Sequence, residues 1–250
     1  MTDNLYWTRP LGIMLLMGLF IMVSGCKKGP EEQAKKLVQK SIKAHNNSQK
    51  WDKLAAISFN KWTRLYNDKD SLEKEIKQLI EVRLKPFYEV KMSWEADGMQ
   101  HVAKYDGNDM QYIMGSNEIK NPSFLKSKQA ELNAAYFAFA QPWALLDESA
   151  SLMYEGQKTL ENGKVVETIK VNFGVESDTW WFYIDPKSYL IQANELQATD
   201  HRSMIENLSF NDKTGLILLG DRVSYRLDSL GNKLVKRAEY RYSDYRPFFE

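Results

Sequence analysis

Between Tyr88 and Met114 the chain alternates with a period of two. Tyr88, Val90, Met92, Trp94 and Ala96 stand against Glu89, Lys91, Ser93 and Glu95. Asp97-Gly98 follows, then Met99, His101, Ala103 and Tyr105, then Asp106-Gly107, then Met110, Tyr112 and Met114. Alternation of this kind sends successive side chains to opposite faces of a strand. An Asp-Gly pair accepts the positive φ angles of a two-residue hairpin turn. The segment is therefore predicted to be an antiparallel meander, and any fold for the chain must accommodate it.

The same reading extends along the rest of the chain. Glu31 to about Asn46 reads as a helix, with Ala34, Leu37, Val38, Ile42 and His45 on one face. Trp51 and Leu54 lead into a strand-like stretch from Ala56 to Asn67. Ser71 to Pro86 fits two patterns. Leu72, Ile76, Leu79 and Ile80 suit a helix face, whereas Ile76, Ile80, Val82 and Leu84 also alternate against charged neighbours; the strand is favoured. Asn121 to about Ala140 reads as a second helix, capped by Asn121 or Ser123, with Pro122 in its tolerated first turn. Its stretch Ala134 to Ala140 is apolar nearly all round, which predicts burial on more than one side. Strands resume at Leu152, with Asn162-Gly163 as a hairpin turn. Thr179 to Asp185 carries Trp180, Trp181, Phe182, Tyr183 and Ile184, so both faces should be covered. Tyr189 to Ala198, Met204 to Phe210, Asp221 to Asp228 and Leu234 to Tyr242 complete the set. Roughly ten antiparallel strands twist too strongly to lie flat. The expected class is α+β: a curved antiparallel β half-barrel closed by helices.

Chemistry is sparse. Lys and Arg number 34 against 33 Asp and Glu, so the basic excess of a nucleic-acid binder is missing. His45, His101 and His201 lack metal-ligand spacing, and no Gly-x-Ser-x-Gly or phosphate-binding glycine loop is present. No catalytic residue, metal or cofactor is assigned. Asp178, Asp185 and Asp200 lie near turns, where Asp serves local hydrogen bonding. The aromatic content is high, with 7 Trp, 13 Tyr and 11 Phe. Trp94, Tyr136, Phe139, Trp143, Trp180 and Phe182 are the candidates for lining an apolar pocket. Packing between sheet and helices is the competing role for the same rings.

At the N-terminus, Arg9 precedes an apolar run of about 13 residues, Leu11 to Val23, which is signal-peptide length. A spanning helix needs about 20. The run ends in Val23-Ser24-Gly25-Cys26, which resembles the lipobox of bacterial lipoproteins. Residues 1–25 are thus expected to be a lipoprotein signal peptide, 26–30 a lipidated tether and 31–250 one domain. Acylated Cys26 would hold the protein on a membrane. Lys27 is not the acidic residue that marks inner-membrane retention, so the periplasmic face of the outer membrane is the default. Glu31 and Glu32 leave the cell surface open as the other face.

Several stretches resemble one family. They are Ala44-His45-Asn46 with Trp51 beyond it, Lys104-Tyr105-Asp106-Gly107, Gln141-Pro142-Trp143-Ala144-Leu145-Leu146 and Tyr154-Glu155-Gly156. Asp178 to Pro186 and Arg222-Val223-Ser224-Tyr225 complete the match. Together they resemble an uncharacterised family of Bacteroidota lipoproteins, a domain of unknown function with the LolA/LolB-like fold of lipoprotein carriers. Asn46-Asn47 stands where Gly-Gly is expected. The resemblance implies a half-barrel and, by analogy, a lipid or acyl-chain ligand; it supplies no catalytic residues. Three readings follow: a non-enzymatic holder of an apolar ligand, an envelope protein-interaction module with a filled core, and a hydrolase using Asp and His at the barrel mouth.

The lipobox is directly testable. Cys26→Ala should abolish acylation and either free the protein from membranes or leave an uncleaved precursor. Palmitate labelling of that variant at the wild-type level would refute the assignment.

Overall fold

The computed structural model of the chain describes residues 29–46, 49–174 and 178–250. The expected signal peptide and Cys26 lie outside the described residues. Helix α1 (Pro30–His45) starts on Pro30, with Glu31 and Glu32 in its first turn, where the helix dipole favours negative charge. Both pair with lysines four residues on, Lys35 and Lys36. A short 3-10 turn, Trp51–Lys53, leads into the first meander.

That meander comprises β1 (Leu54–Tyr66), β2 (Leu72–Arg83), β3 (Glu89–Ala96), β4 (Met99–Tyr105), β5 (Met110–Met114) and β6 (Asn117–Glu118). The ambiguous segment before Pro86 is strand β2. Ile80 and Val82 are buried, while Glu81 between them pairs with Lys91, so the period of two prevails. At the β3–β4 hairpin Asp97 and Gly98 both have positive φ, 51° and 71°, as the Asp-Gly pair predicts.

Helix α2 (Pro122–Ala140) follows, its first turn capped by Asn121, whose Oδ1 accepts from the Phe124 N–H at 3.0 Å. After a second 3-10 turn, Trp143–Leu146, the chain forms β7 (Ser151–Thr159), β8 (Val165–Asn172), β9 (Thr179–Ile184), β10 (Ile191–Gln197) and β11 (Arg202–Asn207). A small separate pair, β12 (Phe210–Asn211) and β13 (Leu218–Leu219), precedes β14 (Asp221–Leu227) and β15 (Lys233–Phe249). β15 runs past its expected end at Tyr242, through a bulge opposite Ser58–Asn60 where Asp244 takes a φ of 55°.

Thirteen strands form one sheet, in the order β6-β5-β4-β3-β2-β1-β15-β14-β11-β10-β9-β8-β7. Each meander unrolls outward from a central seam, where β1 pairs antiparallel with β15 from Leu54↔Phe249 to Leu65↔Ala238. The sheet curls without closing. Its rims are β6, two residues long, and β7, which carries a bulge between Tyr154 and Gly156 and packs against α1. α2 links one rim to the other. Its 19 residues reach about 28 Å, enough to cross the inner face.

α2 divides the interior. On one side Ala135 and Phe139 pack on the first meander, with Phe59, Ile80, Met92 and Tyr112. On the other side Phe137 packs on the second meander and the α1 face, with Val38, Ile169 and Phe182. This is the two-sided burial expected of Ala134 to Ala140. The outer face of the second meander has its own cluster around Val166, Tyr183 and Met204. There Arg202 pairs with buried Glu195, which also accepts from the Tyr183 hydroxyl at 2.6 Å. Trp180 and Phe182 thus face in, and Trp181 and Tyr183 face out. Among the described residues no helix is long and apolar enough to cross a membrane.

His45 locks α1 to the second meander. Its Nδ1 lies 2.8 Å from the Ile217 carbonyl and its Nε2 lies 3.4 Å from the Ile191 N–H. The ring therefore donates through Nδ1 and accepts through Nε2, which requires it to be neutral. Burial holds its pKa at about 4, against 6.5 for a free imidazole. Between those two values the unfolded chain binds a proton that the folded chain does not. The contribution is fully present above pH 6.5 and declines as pH falls to 4, by about 3 kcal/mol in all. Denaturant unfolding of the wild type and His45→Gln should show a stability gap at pH 7 that narrows sharply by pH 4.5. A gap of the same size at both values would remove His45 as the acid-sensitive clamp.

Candidate ligand pocket on the inner face

Between α2 and the inner face of the sheet lies a pocket of about 350 Å³, within the size range of small-molecule sites. The helix supplies one wall through Ala134, Phe137 and Ala138 and closes one end with Gln141. Trp180 on β9 and Ile205 on β11 form the apolar part of the opposite wall. Phe137 holds the Trp180 ring at 5.4 Å and leans on Phe182 and Phe173 behind it, at 6.2 and 5.5 Å. This wall is therefore fixed by packing.

The rest of the lining is mostly polar, with Asn133 on α2, Asn194 on β10 and a cluster at and beside the seam. Arg222 on β14, Tyr240 and Tyr242 on β15 and Lys61 on β1 are neighbours across the ladder, with Arg222↔Tyr240 and Lys61↔Tyr242 in register. Arg222 is only 3% exposed. Its Nε donates to Asn207 Oδ1 and its Nη2 to Asn194 Oδ1, both at 2.7 Å. Asn207 is itself held by donating to the Ile191 carbonyl at 2.7 Å. Burial pushes the Tyr240 hydroxyl up to about 12, further raised by Tyr242 and opposed by Arg222. It stays a protonated donor through the physiological range. The buried Gln141 Oε1 has no hydrogen-bond partner among the described residues.

Two larger hollows, about 630 Å³ each, lie on the outer face around Trp62. They are troughs bordered by polar groups, Asn60, Lys77 and Glu95 in one and Ser209, Lys236 and Glu239 in the other, and the Arg241 they share is already paired with Asp221.

A model of a family of unknown function, DUF6503, matches residues 13–228. The chain belongs to the DUF6503 family. Among curated proteins nothing matches it significantly. Solved structures show the fold. A LolA superfamily protein from Nitrosomonas europaea is similar with a TM-score of 0.56 at 10% identity, over 85% of this chain and 92% of that one. A DUF1329 family protein from Desulfovibrio piger is similar at 0.56 and 10%, over 88% and 94%. A domain named for outer membrane lipoprotein sorting, from Vibrio parahaemolyticus, is similar at 0.53 and 9%, over 87% and 93%. This DUF6503 protein therefore has the LolA-like half-barrel, an open curled antiparallel sheet with two helices.

Of the six aromatics singled out in the sequence, Trp180 lines the pocket. Phe182 is fully buried behind it. Phe139, which lies beside Trp51 and Phe59, and Tyr136, edge-on to Tyr88, sit across α2 in the other compartment. Trp143 stacks on Trp51 at 3.7 Å. Trp94 stacks on His101 at 5.2 Å, far along the first meander. The helix wall is Phe137, one residue on from Tyr136 and so turned to the second meander. His101 is occupied by Tyr112 and the Ala96 carbonyl, and Asp185 by the turn N–H groups of Lys187 and Ser188. Among the described residues no group of three or more His, Cys, Asp or Glu is placed to hold a metal ion.

Lys61, Asn194, Arg222 and Tyr240 carried no signal as a site. Arg222 in particular reads as the solvent side of a strand, because Val223, Tyr225 and Leu227 form the apolar set. The fold inverts this: Val223 and Leu227 are buried on the outer side, and Arg222 and Ser224 turn inward.

Because Phe182 sits in a filled compartment, Phe182→Ala should destabilise the fold by about 3–5 kcal/mol without changing what the pocket accepts. Denaturant melts and ligand titrations on the same variant check both halves. A changed ligand preference at unaltered stability would place Phe182 in the binding wall.

Proposed function

We propose that this protein is a non-enzymatic envelope lipoprotein that holds an apolar ligand, a lipid or an acyl chain, in the inner-face pocket. In this reading acylated Cys26 anchors it to the outer membrane, by default on the periplasmic face. The supporting observation is the pocket itself. It is a preformed gap between a helix and a curved sheet, walled on its apolar side by Phe137, Trp180 and Ile205. A cavity with such walls is favoured by apolar contents, because burial of apolar surface returns roughly 25 cal/mol per Å². The likeness to a LolA superfamily protein and to a lipoprotein-sorting domain agrees with this reading.

The test uses the protein from residue 29 onward, which contains both helices and every strand among the described residues, secreted and purified from cells. Native mass spectrometry should reveal bound lipid, and a fluorescent fatty acid should bind saturably. Ala134 is exposed at the pocket wall, so Ala134→Trp should plug the gap. It should weaken binding on the order of tenfold or more with little change in melting temperature. No lipid and no saturable binding by the wild type, with a protein partner co-purifying instead, would overturn the carrier reading in favour of an interaction module.

A further inference from the structure

The pocket holds two cations that the apolar-ligand reading does not use. Arg222 is buried, and among the described residues its two side-chain hydrogen bonds go to neutral amides, Asn207 and Asn194. Lys61 lies over the Tyr240 ring, 5.6 Å from its centroid. Among the described residues neither forms an ion pair with a carboxylate. Elsewhere in this molecule several partly buried cations are paired: Arg202 with Glu195, Lys233 with Glu206 and Glu161, Lys236 with Glu239. A buried guanidinium without a counter-charge is costly. The amides orient the fork and leave its charge uncompensated. Among the described residues three of its five N–H groups have no hydrogen-bond partner.

We infer that the pocket takes an amphiphile with an anionic head, a carboxylate or a phosphate, which the Arg222 fork and Lys61 receive while the apolar tail lies along Phe137, Trp180 and Ile205. This rests on the apolar-ligand reading and narrows it. A planar fork held by two amides presents parallel donors to two anionic oxygens. The protonated Tyr240 hydroxyl adds a neutral donor beside it. Gln141, at the end of the helix wall, offers an unpaired acceptor for a hydroxyl on the head or for water. Carboxylate and phosphate share this chemistry, so the experiment separates them.

Residues 29–250 would be titrated with a fluorescent fatty acid, then competed with tetradecanoate, tetradecyl phosphate and tetradecanol, which share one tail. At least one anion should displace the probe on the order of tenfold better than the alcohol; the tighter of the two identifies the head. Added salt should erode the advantage. Lys61→Gln, at a half-exposed position, should shrink the anion advantage severalfold and leave tetradecanol unchanged. Arg222→Gln should abolish the advantage, with circular dichroism checking that the sheet survives. Equal displacement by all three compounds would overturn the anionic-head inference while keeping the apolar pocket. So would an anion preference unchanged in Lys61→Gln and in any folded Arg222→Gln protein. Failure of all three to bind would instead remove the apolar-ligand reading on which the inference rests.

Discussion

The pairing of β1 with β15 makes one sheet of two meanders, and the rest of the architecture depends on it. Each meander alone has local turns and neighbouring strands. The seam, running from Leu54↔Phe249 to Leu65↔Ala238, is what joins the two meanders strand to strand. The same ladder sets Lys61 beside Tyr242 and, through β15, Tyr240 beside Arg222. Fold closure and pocket assembly are therefore one event. Contacts of such long sequence separation must be formed against the entropy of the whole intervening loop.

The seam supplies a curved surface and α2 decides how it is filled. A helix that is apolar all round can serve two compartments at once. Phe139 and Phe137, two residues apart, point to different meanders. Much aromatic surface goes into contacts of this kind, such as Trp51 against Trp143 and Phe59 against Phe139. The pocket is what remains where small residues, Ala134 and Ala138, face the polar strip of the seam. Its position follows from a shortage of side-chain volume on that helix face.

Much of the fold was legible in the residues because its signals are local. Alternation and Asp-Gly turns mark the first meander, Asn121-Pro122 marks the start of α2, and the doubly apolar Trp180 to Ile184 announces a strand covered on both sides. The site was far less legible. Alternation separates Arg222 and Ser224 from Val223 and Leu227 but does not say which set faces inward, since both sides of β14 are covered here. The aromatics leave pocket wall and packing open as roles, because composition distinguishes apolar from polar, not filled space from empty. Whether Trp180 or Trp94 borders a void depends on which helix residue stands opposite, and that is set by the rotation of α2. Lys61, Asn194 and Arg222 lie on three strands far apart in sequence, so only tertiary structure brings them together.

The open sheet leaves two rims without strand partners, a standing invitation for another chain to add on and propagate. Both are poor templates. β6 ends after two residues, too short to hold a neighbour, and β7 is kinked at Gly156, where the ladder loses its even spacing. The sheet is not sealed, yet its edges give another chain little to pair with. Neither free edge is both long and straight enough to start a fibre.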